Sequence, residues 1–85
     1  MGYRIILSDL VDNQLKSLSK EAQTRITKRL RLAAENPFLF VRRLTGIDFY
    51  SLRVGDYRVI LKIETDQRLV LIVRVGRRSD IYKRV

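Results

Sequence analysis

The segment RVGRRSDIYKRV, which closes the 85-residue sequence, gathers Arg74, Arg77, Arg78, Lys83 and Arg84 around one tyrosine, Tyr82. A guanidinium holds a phosphate or carboxylate through paired N–H donors and keeps its charge, but it is a poor proton acceptor. A phenol has an ordinary pKa of about 10, too high for proton transfer near neutrality unless adjacent positive charge favours the phenolate. Arg77, Arg78, Lys83 and Arg84 supply such charge in sequence. Two readings follow. Either this is an anion site whose tyrosine handles a proton, or Tyr82 packs over a half-buried edge and the cations around it are solvated.

What the chain lacks narrows the chemistry further. There is no His and no Cys, so zinc sites of the usual Cys and His types, thiol catalysis, disulfide staples and Ser-His triads all drop out. Four glycines, none at dinucleotide or P-loop spacing, leave no Gly-rich phosphate loop. No cofactor, metal or small-molecule ligand is expected. The formal net charge is +9, from 18 Lys and Arg against 9 Asp and Glu, which attracts polyanions such as nucleic acid, or an acidic protein. No run approaches the ~18 apolar residues of a membrane-spanning helix, and MGYRIILSDL lacks the order of a signal peptide. The expectation is a soluble, cytoplasmic protein folded as a single domain over residues 1–85.

The elements that must position these residues can be read from hydrophobic period. YRIIL is short, β-branched and bounded by Ser8 and Asp9, which predicts a first strand followed by a helix cap. Val11, Leu15 and Leu18 then recur at helical spacing. Ser19 is a second N-cap, Glu21 suits a first helical turn, and Ala22, Ile26, Leu30 and Ala33 form one stripe of a longer helix ending before Pro37. Its cations Arg25, Lys28, Arg29 and Arg31 suit either a solvated helix face or a nucleic-acid contact. After a linker, PFLFVRRLTG, the period changes to two. DFYSLRVGD, YRVILKIET and RLVLIVRVG read as three strands joined by GD and TDQ turns, a β-meander.

Alternation assigns faces to those strands. Leu52, Tyr57, Val59, Leu61, Ile63, Leu69, Leu71, Val73 and Val75 are expected on the side that the helices cover. Ser51, Arg53, Arg58, Lys62 and Arg74 fall on the other side, with Glu64 as the one acid among them. A solvated sheet face normally mixes both signs of charge. One carrying this many cations is an electrostatic footprint for phosphates. The expected fold class is α+β: an N-terminal strand and an antiparallel helical hairpin packed on one face of a largely antiparallel β-meander sheet.

If the polyanion is RNA and the act is cleavage, the simplest route is attack by a 2′-hydroxyl on its own phosphodiester. That step needs a proton acceptor, a stabiliser of the added negative charge and help for the leaving oxygen. No metal is obligatory. Proximity and orientation can contribute ~7 kcal/mol or more of the barrier, so a site this poor in acids and bases needs its substrate held in line by something else.

The order of YRIILSD, a helical hairpin, ENP, RLTG, YSLRVGDYRVILKI and VGRRSDIY resembles the RelE branch of the RelE/ParE toxin superfamily along nearly the whole chain. The resemblance implies an endoribonuclease, an mRNA interferase that cuts messages in the ribosomal A site without a metal. It assigns Arg53 to a family cation on the sheet, Arg58 to the arginine that stabilises the phosphate, Arg78 to the arginine near the leaving group, and Tyr82 to the tyrosine that orients or deprotonates the 2′-hydroxyl. Arg77, Lys62, Arg74, Lys83 and Arg84 are the expected RNA-binding cations. Some RelE proteins carry lysines where this chain has Ser51 and Arg53, so a lysine general base of those relatives has no counterpart here. The expectation is that Tyr82, made acidic by Arg77 and Arg78, takes the larger share of proton transfer.

The resemblance also implies partners: the ribosome and mRNA, and a cognate RelB-like antitoxin that blocks the basic surface. Phe38, Leu39, Phe40 and Val41 are either apolar anchors for that antitoxin or core residues closing a loop. The alternative is a binding module, either a ParE-like inhibitor of DNA gyrase or an inactive toxin serving as co-repressor. The retained set Arg58, Arg78 and Tyr82 separates the two, since a pure gyrase binder has no chemical need of it.

Overall fold

The computed structural model describes the backbone of residues 2–81 and the side chains of residues 2–79. Along the chain run β1 (Arg4–Leu7), α1 (Asp9–Lys16), α2 (Lys20–Glu35), a 3-10 turn (Pro37–Leu39), β2 (Val41–Arg43), β3 (Tyr50–Val54), β4 (Tyr57–Glu64), β5 (Leu69–Arg77) and the short α3 (Arg78–Ile81). The strands form one sheet in the order β1-β5-β4-β3-β2. β2, β3, β4 and β5 run antiparallel one to the next, and β1 lies parallel to β5 at one edge. This is the expected α+β fold.

Both helices begin where the sequence provides a cap. The Ser8 hydroxyl accepts from the Val11 N–H at 3.2 Å and the Ser19 hydroxyl from the Ala22 N–H at 3.1 Å, each satisfying a donor that the first helical turn leaves unpaired. α2 stops at Glu35, and Pro37, which has no N–H to continue the ladder, opens the 3-10 turn. The helical stripe is buried as its spacing required: Val11 of α1 and Ala22, Ile26, Leu30 and Ala33 of α2. It packs on Leu52 and Val54 of β3, Val59 and Leu61 of β4, and Val70, Ile72 and Val75 of β5.

Two expectations need correction. The segment read as a linker contains β2, whose residues Val41, Arg42 and Arg43 pair with Leu52, Ser51 and Tyr50. Three residues with two arginines are too short a run to show a period. In β5 the expected inner side was also wrong over part of the strand. Val70 and Ile72 are buried, whereas Leu69, Leu71 and Val73 face the other way, with Val73 40% exposed; only Val75 was assigned correctly. The pairing Ile60↔Arg74 is followed by Leu61↔Ile72, so Val73 has no opposite number. One extra residue inverts the alternation beyond it, and strict counting carries the phase of Val75 backwards through the bulge.

The same stretch of β5 explains a helix-to-sheet hydrogen bond. Pairing with β1 ends at Leu7↔Ile72, and past that point the Val75 N–H has no strand on that side. The Gln14 side chain of α1 accepts from it at 2.9 Å. Between β3 and β4 the turn is Gly55-Asp56. Gly55 has φ +58° and Asp56 a negative φ, the pattern of a II′ hairpin, in which only glycine takes the first central position at no steric cost. A two-residue turn closed by Val54↔Tyr57 sets Arg53 directly opposite Arg58. Among the described residues no helix is long and apolar enough to cross a membrane.

Candidate functional site

Leu52 and Val59, both fully buried, hold β3 and β4 to the helices, and alternation therefore turns Arg53 and Arg58 outward. Arg53 is exposed and Arg58 half-buried. Two like charges in directly opposed positions of an antiparallel pair destabilise a sheet. Neither forms an ion pair with an acid among the described residues, so nothing there offsets the repulsion. Next to them Arg42 stands opposite Ser51. These four residues line a depression of about 390 Å³ whose apolar wall includes Leu39 and Phe40. Ser51 forms its floor, 9% exposed.

Arg58 also borders a second depression, made by Asp56 of the turn, by Arg77 at the end of β5 and by Arg78 and Ser79 at the start of α3. A backbone bond fixes that junction: the Arg78 N–H donates to the Asp56 carbonyl at 2.9 Å. Asp56 borders the depression, and among residues 2–79 neither Arg77 nor Arg78 is ion-paired with an acid. The structure thus gathers Arg53, Arg58, Arg77 and Arg78 along one path. Lys62 and Arg74 share the sheet face but do not line these depressions. The Lys62 ammonium sits 5.8 Å from the centre of the Phe49 ring, and Arg74 stands opposite Ile60, half-buried. Tyr82, Lys83 and Arg84 lie outside the described residues.

Sequence reasoning missed Arg42, because it lay in the presumed linker; a hydrophobic Val41 followed by two arginines was the only signal. The two readings of Phe38 to Val41 are divided between residues. Phe38 and Leu39 are exposed, while Phe40 is half-buried beneath the Arg29 guanidinium, 5.3 Å from its ring centre. Phe38 meets the Tyr50 ring edge-on at 5.7 Å.

Chemically, opposed guanidiniums on a solvated sheet can bracket a phosphate through paired N–H donors and gain most when charge on that group increases. The family described as ParE toxin of type II toxin-antitoxin system, parDE, matches residues 5–82. The chain belongs to the RelE/ParE toxin superfamily. Among relatives of this RelE/ParE chain, the toxin RelG of Mycobacterium tuberculosis is 35% identical over 93% of this chain and 76% of its own length. A putative RelE-like toxin protein of Escherichia coli is 29% identical over 96% of this chain and 92% of its own. A chain in the crystal structure of the archaeal RelE-RelB complex from Pyrococcus horikoshii OT3 superposes with a TM-score of 0.81, at 29% identity, covering 94% of this chain and 99% of that one. The RelE/ParE fold of the present chain is thus the one that in P. horikoshii assembles with RelB.

Proposed function

We propose that this RelE/ParE toxin is a ribosome-dependent endoribonuclease that cleaves mRNA in the A site. The observation that carries the reading is the Arg53–Arg58 pair: two opposed, outward, unneutralised arginines with Arg78 tied to the adjoining turn. In the reaction the 2′-oxygen attacks the neighbouring phosphorus, its proton passes to a base, and the 5′-oxygen leaves with a proton, giving a 2′,3′-cyclic phosphate and a 5′-hydroxyl. Arg53 and Arg58 hold the non-bridging oxygens as a fifth oxygen bonds to phosphorus and charge accumulates. Arg78 stabilises the departing oxygen, and Tyr82 orients or deprotonates the 2′-hydroxyl. The ribosome supplies the in-line geometry that a small, exposed site cannot impose alone.

The toxin acts in the cytoplasm and is silenced by a RelB-like antitoxin. The +9 charge and the exposed Leu39 on the wall of the Arg42, Arg53 and Arg58 depression favour an acidic, amphipathic segment that covers the site. The test of the chemistry is Tyr82→Phe on ribosomes loaded with message. Cleavage should fall at least tenfold, and an undiminished rate removes Tyr82 from proton transfer.

The ParE description of the matching family favours a second reading, inhibition of DNA gyrase. A supercoiling assay decides between them. The nuclease reading predicts full gyrase activity in the presence of excess toxin; inhibition at stoichiometric toxin, without RNA cleavage, supports the second.

A further inference from the structure

The cations of α2 admitted two readings from sequence, and their arrangement in the fold favours one. Arg25, Lys28, Arg29 and Leu32 on the helix, with Arg53 and Gly55 of the β3–β4 hairpin, line an open cleft of about 550 Å³. The Arg25 guanidinium crosses to the turn: a Cβ at Gly55 would stand 3.0 Å from its Nη2. A residue without a side chain therefore leaves the room that brings the helix cation against the hairpin. Neither Arg25 nor Lys28 forms an ion pair with an acid among the described residues, so among those residues the cleft's positive charge has no paired acid.

Arg53 borders both this cleft and the depression that holds Arg42 and Arg58, and Arg58 borders both that depression and the one beside Arg77 and Arg78. Shared residues thus join three basic hollows into one track from α2, around the β3–β4 hairpin, to α3. Arg29 adds a neighbouring ring, since its guanidinium stacks over Phe40. A groove of cations with an aromatic at its side is the arrangement that follows a single-stranded backbone without reading its sequence.

We propose that the α2 cleft binds the sugar-phosphate backbone of the same RNA strand that is cut, on one side of the scissile bond, so that strand contact continues well past the central arginines. This rests on the nuclease reading for the position of the scissile bond, but its own test is binding. The cleft adds affinity and register: Arg53 at its border is shared with the scissile phosphate, and no group of α2 touches the reacting atoms.

The experiment compares two double variants of the full chain with equal loss of charge on the same helix. Arg25→Gln/Lys28→Gln empties the cleft, while Lys20→Gln/Arg31→Gln removes exposed cations that do not line it. Binding of fluorescent uridine oligonucleotides of four and ten nucleotides is measured between 0.05 and 0.3 M salt, with circular dichroism confirming the fold. For the ten-mer, losing two phosphate contacts should lower the salt slope by about 1.4 and the affinity at 0.15 M by roughly tenfold. The control pair should change the affinity less than twofold, and the four-mer should bind the cleft variant nearly as well as the wild type. Equal losses in the two double variants would reduce the cleft to a general charge effect and overturn the proposal. Equal losses at both lengths would make it a separate site and overturn the continuous track. Unchanged RNA affinity together with weakened capture of an acidic polypeptide such as poly-glutamate would assign the cleft to a protein partner instead. Because the readout is binding, a protein that proves inactive on ribosomes can still pass or fail it.

Discussion

Replacing Arg53 by glutamine should stabilise this protein while weakening its proposed activity. Arg53 and Arg58 are directly opposite across an antiparallel pair with no acid between them. Opposed side chains start about 5 Å apart; guanidiniums splayed to about 6 Å repel by roughly 0.7 kcal/mol at the dielectric of water. Screening leaves about 0.6 kcal/mol at 0.01 M salt, about 0.3 at 0.15 M and about 0.1 at 1 M. In a domain of this size 1 kcal/mol moves the melting temperature by about 4–8 °C. Arg53→Gln should therefore raise Tm by about 2–5 °C at 0.01 M, about 1–2 °C at 0.15 M and less than 1 °C at 1 M. Any difference in strand preference between Arg and Gln adds a constant, so the decline with salt is the signature, read by thermal melts followed by circular dichroism. A shift that is independent of salt, or that grows with it, refutes the electrostatic reading of the pair. Arg53→Glu sharpens the test, since it converts repulsion into attraction and should raise Tm further at low salt.

Other parts of the account can be checked separately. Gln14→Ala removes the acceptor of the Val75 N–H and should cost about 1–3 kcal/mol, a clear fall in the urea midpoint with little change in m-value. Leu52→Ala empties a fully buried position under the Arg53 strand and should cost about 2–5 kcal/mol in urea unfolding, a large part of the stability of so small a domain. Deleting Val73 should leave a cooperatively folding protein, because Val70, Ile72 and Val75 then alternate without a break; deleting Ile60 reverses Leu61 and Ile63 relative to Val59 and should abolish cooperative melting.

Much of the positioning was legible because local signals agreed. Ser8 and Ser19 sit directly before apolar residues at helical spacing, and the change of period after Pro37 marks where helices give way to strands. Even the Arg53–Arg58 pair follows from the sequence VGDY, since a two-residue turn fixes which side chains face each other. The bulge at Val73 was not legible: the unbroken apolar run LVLIV carries no mark of which residue lacks a partner, and only pairing with β4 reveals it. Arg42 was hidden for a related reason, in a strand of three residues held by β3 rather than by its own preference. The approach of Arg25 to Gly55 joins residues thirty positions apart and depends on how α2 lies over the hairpin. Local sequence therefore defined the catalytic candidates of the sheet better than the basic surface leading to them.

The central claim is that the outward arginines of β3 and β4 act on an RNA phosphodiester. The most direct measurement is mapping of new mRNA 5′ ends by primer extension on programmed ribosomes, with wild-type protein and with Arg58→Gln. The account predicts cuts confined to the A-site codon for the wild type and a loss of about 10²-fold or more in rate for the variant. Cleavage by Arg58→Gln at the wild-type rate, or the absence of any new end with folded wild-type protein, would contradict it.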